Sequence, residues 1–440
     1  MGDAMNAEVR AMKTAAEQAL SAAFEGARGS LPGKGSLAAL REDAFKQFEA
    51  RGLPHRRVEE WKYTDLRALM REALPLAAPP DAATIVQAKA SKLFSEVKPR
   101  RIVFIDGAFV PQVSDLTAEA GLTIGSLADA LAKGDASIAA HVGKTVETDD
   151  VAVALNTALM GDGAVIRVTA GMALQRPIQL LFASSERAAS SAFVRSLVVV
   201  EKGAKVALIE SHEGGGHQIN AALELIVGDD AEIEYIKTTQ THGLHIGSLL
   251  AAVGARAKFN TFAFTADSSV VRNQSFIRFA GDGTKAGIRG VSLLRGKQHA
   301  DTTLLIEHAA GHCESREQFR AVLDEQSHGV FQGKIVVKPH AQKTDAKMMT
   351  RALLLSDEAE ADNKPELEIF ADDVVCGHGA TASALDPGLK FYLMSRGITD
   401  KEAEALLIQS FVGETIEEIA HEGIRGALMD AALKWLNERT

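Results

Sequence analysis

A cysteine and a histidine, two positions apart near the C-terminal end, are the residues best suited to chemistry. Cys376 and His378 flank Gly377, and cysteine occurs only twice in 440 residues. If this segment is a β-strand, side chains at positions i and i+2 point to the same side, so thiol and imidazole can reach one metal ion or cluster. Two ligands do not complete a tetrahedral metal site. Either further ligands come from elsewhere, including another subunit, or the pair is a buried thiol beside a surface histidine, as the tripeptide alone favours.

A second group of possible metal ligands lies further upstream. It consists of His299, Asp301, Glu307, His308, His312 and Cys313. By strand parity His299 and Asp301 share one side of a strand, and Glu307 lies on that side several residues away. Such scattered ligands indicate a metal site only weakly, and solvated turn and strand positions explain them better. The region supports an alternative hypothesis, a stand-alone metal-dependent enzyme.

The composition is that of an ordinary globular protein. The chain is 46% hydrophobic, and its formal net charge of -10 argues against a nucleic-acid partner. No apolar run approaches the roughly 20 residues that a membrane span needs. Residues 1–10 mix charges into an alanine-rich helical pattern, unlike a signal peptide. We therefore expect a cytoplasmic protein, and reduced thiols, because two cysteines far apart in such a chain are poor evidence for a disulfide.

Three regions differ in their patterns. Residues 1–150 are predicted to be mostly helical, with a hairpin at Asp106-Gly107. Residues 151–385 show short alternating strands. Residues 386–440 are predicted to be helical, because Asp386-Pro387 is a good helix start and Thr399 with Glu402 forms a capping box.

The strand region repeats. Similar strands are predicted at 204–209, 231–236, 257–262 and 286–291, so their starts are 27, 26 and 29 residues apart, and each follows a glycine: Gly203, Gly228, Gly254 and Gly281. This period is typical of the stacked coils of a β-solenoid, which we favour, although spacing alone does not exclude an antiparallel sandwich. The glycine run in Glu213–His217 predicts a flexible turn between strands.

A succession of motifs in the second half of the chain resembles the SufB/SufD family of iron-sulfur cluster assembly proteins, with features of its SufD branch. The motifs are Gly329–Val337, Ala341–Asp345, Leu353–Asp357, Pro365–Ile369, Ala371–Thr381 and Phe391–Ile398, with Leu53–Tyr63 upstream. Gly377 stands where serine is common and Val375 where lysine is common, but the spacing of the cysteine and histidine is preserved. The resemblance covers the chain from about Leu53 to the C-terminus.

The resemblance implies a mainly β protein with a right-handed parallel β-helix core between N-terminal and C-terminal helical regions. It also implies pairing with a SufB-like scaffold through the end of the β-helix, and binding of a SufC-like ATPase through the C-terminal helical unit. Cys376 and His378 would face the scaffold, and His378 is the better candidate to hold iron or a transient iron-sulfur cluster. A homodimer of the isolated chain is possible, no cofactor is expected to be tightly bound by the chain alone, and a flavin is left open.

Three hypotheses follow. The first is a non-enzymatic subunit of an iron-sulfur cluster assembly complex. The second is the metal-dependent enzyme with a site between residues 299 and 313. The third is a purely structural adaptor in which Cys376 and His378 are packing residues.

Overall fold

The computed structural model of the chain describes residues 13–87 and 92–438, so the helical pattern predicted at residues 1–10 lies outside the described residues. The helices are α1 Ala15–Ala27, α2 Ser36–Arg51, α3 Leu66–Leu69, α4 Ala82–Gln87, α5 Leu127–Ala132, α6 Ala136–Ala139, α7 Val151–Leu159, α8 Pro387–Met394, α9 Asp400–Ile416 and α10 Glu422–Asn437. The first strands are β1 Arg100–Ile105, β2 Ala108–Phe109, β3 Leu122–Ser126, β4 Ala164–Val168, β5 Ile178–Ala183 and β6 Ser191–Val200. The remaining strands are β7 Lys205–Val227, β8 Glu232–Val253, β9 Lys258–Ala266, β10 Val270–Phe279, β11 Lys285–Leu294, β12 His299–His308, β13 Glu314–Leu323, β14 His328–Val337, β15 Asp345–Leu354, β16 Glu360–Ile369 and β17 Val375–Ser383.

The strands form two facing parallel sheets through which the chain winds coil after coil. The front sheet runs β5, β7, β8, β9, β11, β13, β15 and β17, with each strand in parallel register with the next. The back sheet runs β4, β6, β7, β8, β10, β12, β14 and β16. This arrangement is a parallel β-helix, and it confirms the solenoid prediction over the antiparallel sandwich.

One corner of the solenoid is built from stacked residues with positive φ. They are Gly203, Asp230, Arg256, Gly283, His312 and Lys343. In this column the N–H of Gly283 donates to the carbonyl of Gly311 in the next coil, 3.0 Å away, and neighbouring coils repeat the bond. The preceding glycine is needed for close stacking, because a Cβ on Gly281 would lie 2.2 Å from the backbone nitrogen of Ala255. The repeated glycines of the sequence therefore mark coil corners.

Alternate side chains fill the interior between the two sheets. Leu225, Phe259 and Ile306 are among the fully buried members of this core. The outer surface of the front sheet packs against the C-terminal helices, where Ile408 on α9 and Trp435 on α10 are buried. On the back sheet, α1, α2 and α7 cover the first coils.

The N-terminal region contributes strands to the same sheets. Asp106-Gly107 joins β1 to β2 in an antiparallel hairpin, as predicted, and β1 continues the front sheet by pairing in parallel with β5. β3 pairs antiparallel with β4. The predicted boundary after residue 150 falls at the N-cap of α7, which is Asp150, and the one after residue 385 falls at Asp386, the N-cap of α8.

The predicted turn at Glu213–His217 is wrong. This segment lies inside β7, which continues from the front sheet into the back sheet. Gly214 and Gly216 have positive φ, and the register with β8 shifts between Gly215 and Gln218. The glycines therefore bend one strand around a corner rather than end it.

The C-terminal helices begin where the sequence predicts. The Asp386 side chain accepts bonds from the first turn of α8, and Thr399 and Glu402 form a reciprocal capping box at the start of α9. Across the two described ranges, no helix combines the length and apolar character that a membrane span requires.

Replacing Gly281 by alanine should destabilise the solenoid by roughly 1–3 kcal/mol, because the added methyl group would overlap backbone atoms that have no room to move. The measurement is the midpoint of urea unfolding. Gly426→Ala is the matched control, since nothing lies within 4 Å of a Cβ at that helical position. Equal midpoints for Gly281→Ala and the wild-type chain would contradict the role of this glycine in stacking.

Candidate functional site

Cys376 and His378 lie on β17, the last strand of the front sheet. In the ladder with β15, Cys376 is opposite Ala346 and His378 is opposite Met348. Ala346 and Met348 both belong to the buried interior of the solenoid. Cys376 and His378 therefore share the inward-facing side of the final coil. Cys376 lies above Ala346, and His378 lies above Met348.

The two side chains differ in their surroundings. Cys376 is half-buried against the interior core, whereas His378 is exposed because no further coil of the described chain covers it. Burial raises the pKa of the Cys376 thiol, and the carboxylates of Asp345 and Glu317 raise it further, partly offset by a hydrogen bond from the backbone of Ala346. The thiol form is therefore favoured, while the imidazole stands accessible at the surface.

The donor set is incomplete within the described residues. Among the described residues, no three His, Cys, Asp or Glu side chains come together in a group that could hold a metal ion. Cys376 and His378 supply one sulfur and one nitrogen, a combination that suits iron but leaves at least two positions of a tetrahedral centre open. Any further ligand would have to come from outside the described residues, as from a second protein.

A buried carboxyl group lies two coils beneath the pair, in the same column as His378. Glu317 on β13 is opposite Met348, which in turn is opposite His378. Glu317 is fully buried, and its carboxyl oxygens have no well-formed hydrogen bond among the described residues. Burial raises its pKa to about 7, although Ser315 lowers it in part. The sequence could have indicated this residue, because alternation in β13 places Glu317 on the same side as Phe319.

The end of the solenoid around the pair is open. In the described part of the chain, β16 pairs with β14 and β17 with β15, and each leaves its other edge free. Large apolar side chains are exposed there: Ile369 is 41%, Phe370 60% and Val375 61% accessible. An uncovered apolar surface beside free strand edges is typical of a protein interface.

The upstream histidine and carboxylate group does not form one site. His299, Asp301 and Glu307 lie on the outer side of the back sheet, as strand parity predicts. His299 and Asp301 both contact the Thr64 hydroxyl, at 2.9 and 2.5 Å, whereas Glu307 is engaged elsewhere. Asp301 pairs with Arg272 at 2.5 Å and accepts the Thr64 hydroxyl. Glu307 pairs with Arg278.

The other members of that group face different surroundings. His308 is buried, bonds to the Ser315 hydroxyl at 3.0 Å, and has its pKa lowered to about 4 by burial. Cys313 is fully buried, and His312 occupies a corner with positive φ. The structure therefore gives the enzyme hypothesis no metal centre among these described residues.

Sequence reasoning missed a polar cluster inside the solenoid. Glu210 accepts hydrogen bonds from Tyr235 at 2.7 Å and from His212 at 2.6 Å, and Lys237 lies 3.7 Å from it. Burial would raise the pKa of Glu210, but Lys237 and its other partners outweigh burial and bring it to about 2. Alternation in β7 could have indicated the cluster, because Glu210 and His212 have the same parity as the buried Leu208.

Helix α8 presents a second exposed surface, because none of its residues is buried. Leu389, Phe391 and Tyr392 are 54%, 72% and 53% accessible. The helix is held to α9 by Lys390, which pairs with Asp400 at 3.1 Å and Glu404 at 3.2 Å. An apolar helical face of this kind is a candidate docking surface.

The raised pKa of Glu317 predicts that stability falls as pH rises. The folded chain binds this proton more tightly than the unfolded chain, so the contribution is full below pH 4.5 and is lost as pH rises to about 7, a total on the order of 3 kcal/mol. Glu317→Gln should remove that part of the pH dependence of the unfolding free energy between pH 5 and 8. Glu314→Gln, which changes an exposed carboxylate on the same strand, should retain it. Identical pH profiles for Glu317→Gln and wild type would refute the assignment.

Comparison with known proteins covers both halves of the chain. Residues 182–411 match the family described as "SUF system FeS cluster assembly, SufBD core domain", and residues 16–180 match "SufBD protein N-terminal region". A SufBD family iron-sulfur cluster assembly protein of Synechocystis is 31% identical, over 97% of each chain. The iron-sulfur cluster assembly protein SufD of Escherichia coli is 30% identical over 87% of this chain and 89% of its own. SufD of Bacillus subtilis is 28% identical over 63% of this chain and 64% of its own.

The family match includes the strand that carries Cys376 and His378, the coils beneath it and the helix α8. The relatives extend the likeness over nearly the whole length, including the N-terminal helices. The chain therefore belongs to the SufBD family of proteins that assemble iron-sulfur clusters in the SUF system.

Proposed function

We propose that this chain is a non-enzymatic, SufD-like subunit that works in the cytoplasm within a SUF complex. Its open solenoid end docks on a SufB-like scaffold, and α8 docks on a SufC-like ATPase. His378, assisted by Cys376, holds iron or a transient cluster at the scaffold junction. Iron and the cluster are cargo in this proposal, and the chain alone is assigned no tightly bound cofactor.

The position of Cys376 and His378 carries the proposal. Both lie on the inward-facing side of the last strand, at the uncovered end of the solenoid, where a second protein would place its own side chains against them. A thiol and an imidazole are donors that iron accepts, and donors from the second chain would complete the coordination. The exposed Phe370 and Val375 would be buried by the same contact.

The two donors are given unequal roles. His378 is exposed and free to approach a ligand, whereas burial raises the pKa of Cys376 and disfavours the thiolate that binds metal. His378 is therefore the main ligand. Cys376 is an auxiliary donor that would bind once the partner and the metal change its surroundings.

The ATPase contact is assigned to α8 because Leu389, Phe391 and Tyr392 are exposed in the described part of the chain. α9 and α10 differ, since their apolar residues Ile408, Val412 and Leu428 pack on the front sheet. Deleting everything after residue 385 would therefore uncover the sheet as well as remove the docking helix. Substitutions on α8 are the cleaner test.

Replacing His378 by alanine should leave the complex intact but lower its bound iron or cluster by roughly tenfold or more, because an accessible ligand is lost. Iron content and the visible absorbance of the purified complex measure this. Gly377→Ala is the control, since nothing lies within 4 Å of a Cβ there. An intact complex with undiminished iron and cluster would favour the structural adaptor hypothesis instead.

Replacing Leu389 and Phe391 by alanine should weaken binding of the SufC-like ATPase by roughly tenfold to hundredfold, as expected for central apolar anchors. Binding can be followed by calorimetry with the purified ATPase, and unfolding of the variant confirms that the fold is retained. Val86→Ala removes a similarly exposed apolar side chain from α4 and should have no effect. Wild-type affinity of the α8 variant would exclude this helix as the ATPase contact.

A further inference from the structure

Outward charged residues of neighbouring coils are stacked with alternating sign. Glu232 on β8 lies between Lys205 of the preceding coil, at 3.1 Å, and Lys258 of the following coil, at 2.9 Å. Parallel register places side chains of successive coils about 4.8 Å apart, so like charges in one column would repel. A carboxylate between two bases is one solution to this constraint.

The back sheet shows the same arrangement closer to the open end. Glu307 on β12 pairs with Arg278 of the preceding coil at 3.2 Å and with Lys338 of the following coil at 3.0 Å. The preceding coil supplies the basic side chain below Glu307, and the following coil supplies the basic side chain above it. Charge alternation along the solenoid axis therefore extends into the coils nearest the end.

The final coil contains the lower half of such stacks. Asp362 on β16 pairs with His328 of the preceding coil at 2.8 Å, and Glu368 pairs with Lys334 at 2.6 Å. The side chains of Asp362 and Glu368 are 39% and 46% accessible, although each already has a base beneath it. Their upper sides face the space where another coil would stack.

The last coil is strongly acidic as a whole. Between residues 356 and 385 the sequence has eight Asp and Glu residues and a single lysine, Lys364. The outward positions of β16 are Glu360, Asp362, Lys364, Glu366 and Glu368, as register with β14 shows. An excess of seven negative charges at one end is most of the formal net charge of -10 of the chain.

Acidic and apolar parts of the end are arranged side by side. The acidic residues follow the outer edge of β16, while Ile369, Phe370 and Val375 expose apolar surface between β16 and β17. Together with the free strand edges, this describes an interface with an apolar centre and an acidic rim on one side.

We propose that the SufB-like occupant of this end carries lysine or arginine residues on the strand that lies above β16. These bases would complete the stacks on Asp362 and Glu368. The inference rests on the proposed function, which places a SufB-like scaffold at this end, and adds the charge that the scaffold must present. A second copy of this chain fits less well, because its own end carries the same excess of negative charge.

The physical consequence is a salt-dependent association. Rim charges contribute mainly to the association rate and to partner choice, and dissolved salt screens them over about 10 Å at 0.1 M. The apolar centre, by contrast, responds little to salt. The two contributions can therefore be separated by changing the ionic strength.

The test uses the full-length chain and its purified SufB-like partner, with affinity measured at low and high salt. The triple variant Asp362→Asn, Glu366→Gln, Glu368→Gln should bind roughly tenfold more weakly at low salt and with a shallower salt dependence. The control variant Glu25→Gln, Asp43→Asn neutralises exposed acids of the N-terminal helices and should match wild type.

The outcomes separate this inference from the proposed function. If wild type does not bind the partner at any salt concentration, the proposed function fails. If wild type binds and the triple variant has the same affinity and salt dependence, the charge inference is wrong while the assembly role stands. The single variant Glu366→Gln controls for misfolding of the triple variant, because the ion partner of Glu366 is Lys364 of the same strand and the ion pairs between coils are kept. The inference expects this variant also to weaken binding at low salt. An unchanged affinity would count against the inference.

Discussion

The structure depends on one requirement of a parallel solenoid: each coil must be covered by the next. Strand pairing satisfies the hydrogen-bonding groups of the backbone, and inward side chains fill the interior. Both hold only where another coil follows. Among the described residues the stack stops at β16 and β17, so the last coil retains free edges and an exposed interior. The features assigned to function are concentrated at this unfinished end. Its exposure is therefore better understood as an incomplete stack than as a defect of packing.

At that end, the two possible metal ligands, His378 and Cys376, differ in accessibility for different structural reasons. His378 is exposed because it would be a core residue if another coil were present, whereas Cys376 already contacts the core of its own chain. His378 is thus accessible to a partner, whereas Cys376 is partly shielded by its own chain. Glu317 lies beneath Met348, so a second titratable group lies under the site without reaching the surface.

The sequence predicted features that arise from short-range patterns. The strand repeats, the hairpin at Asp106-Gly107 and the caps at Asp386 and Thr399 depend on neighbouring residues, and the structure contains each of them. The bend at the glycine run was missed because glycine lets a strand turn a corner without ending, and local sequence does not distinguish the two. Stacked ion pairs were missed because their members, such as Lys334 and Glu368, are 34 residues apart and meet only once the coils are in register.

The C-terminal helices have a further consequence for how the solenoid unfolds. In repeat proteins each unit contacts only its neighbours, so coils can fray one after another from the ends. Here α9 and α10 lie across the front sheet and share one buried apolar cluster with Ile236, Phe262, Val291, Val322 and Leu353, which belong to successive strands. Strand β15, directly beneath the last strand of the front sheet, cannot loosen without disturbing helices that also pack on strands near the middle. The helices thus link coils that do not contact one another. They couple the order of β15, next to the docking end, to the stability of the whole stack.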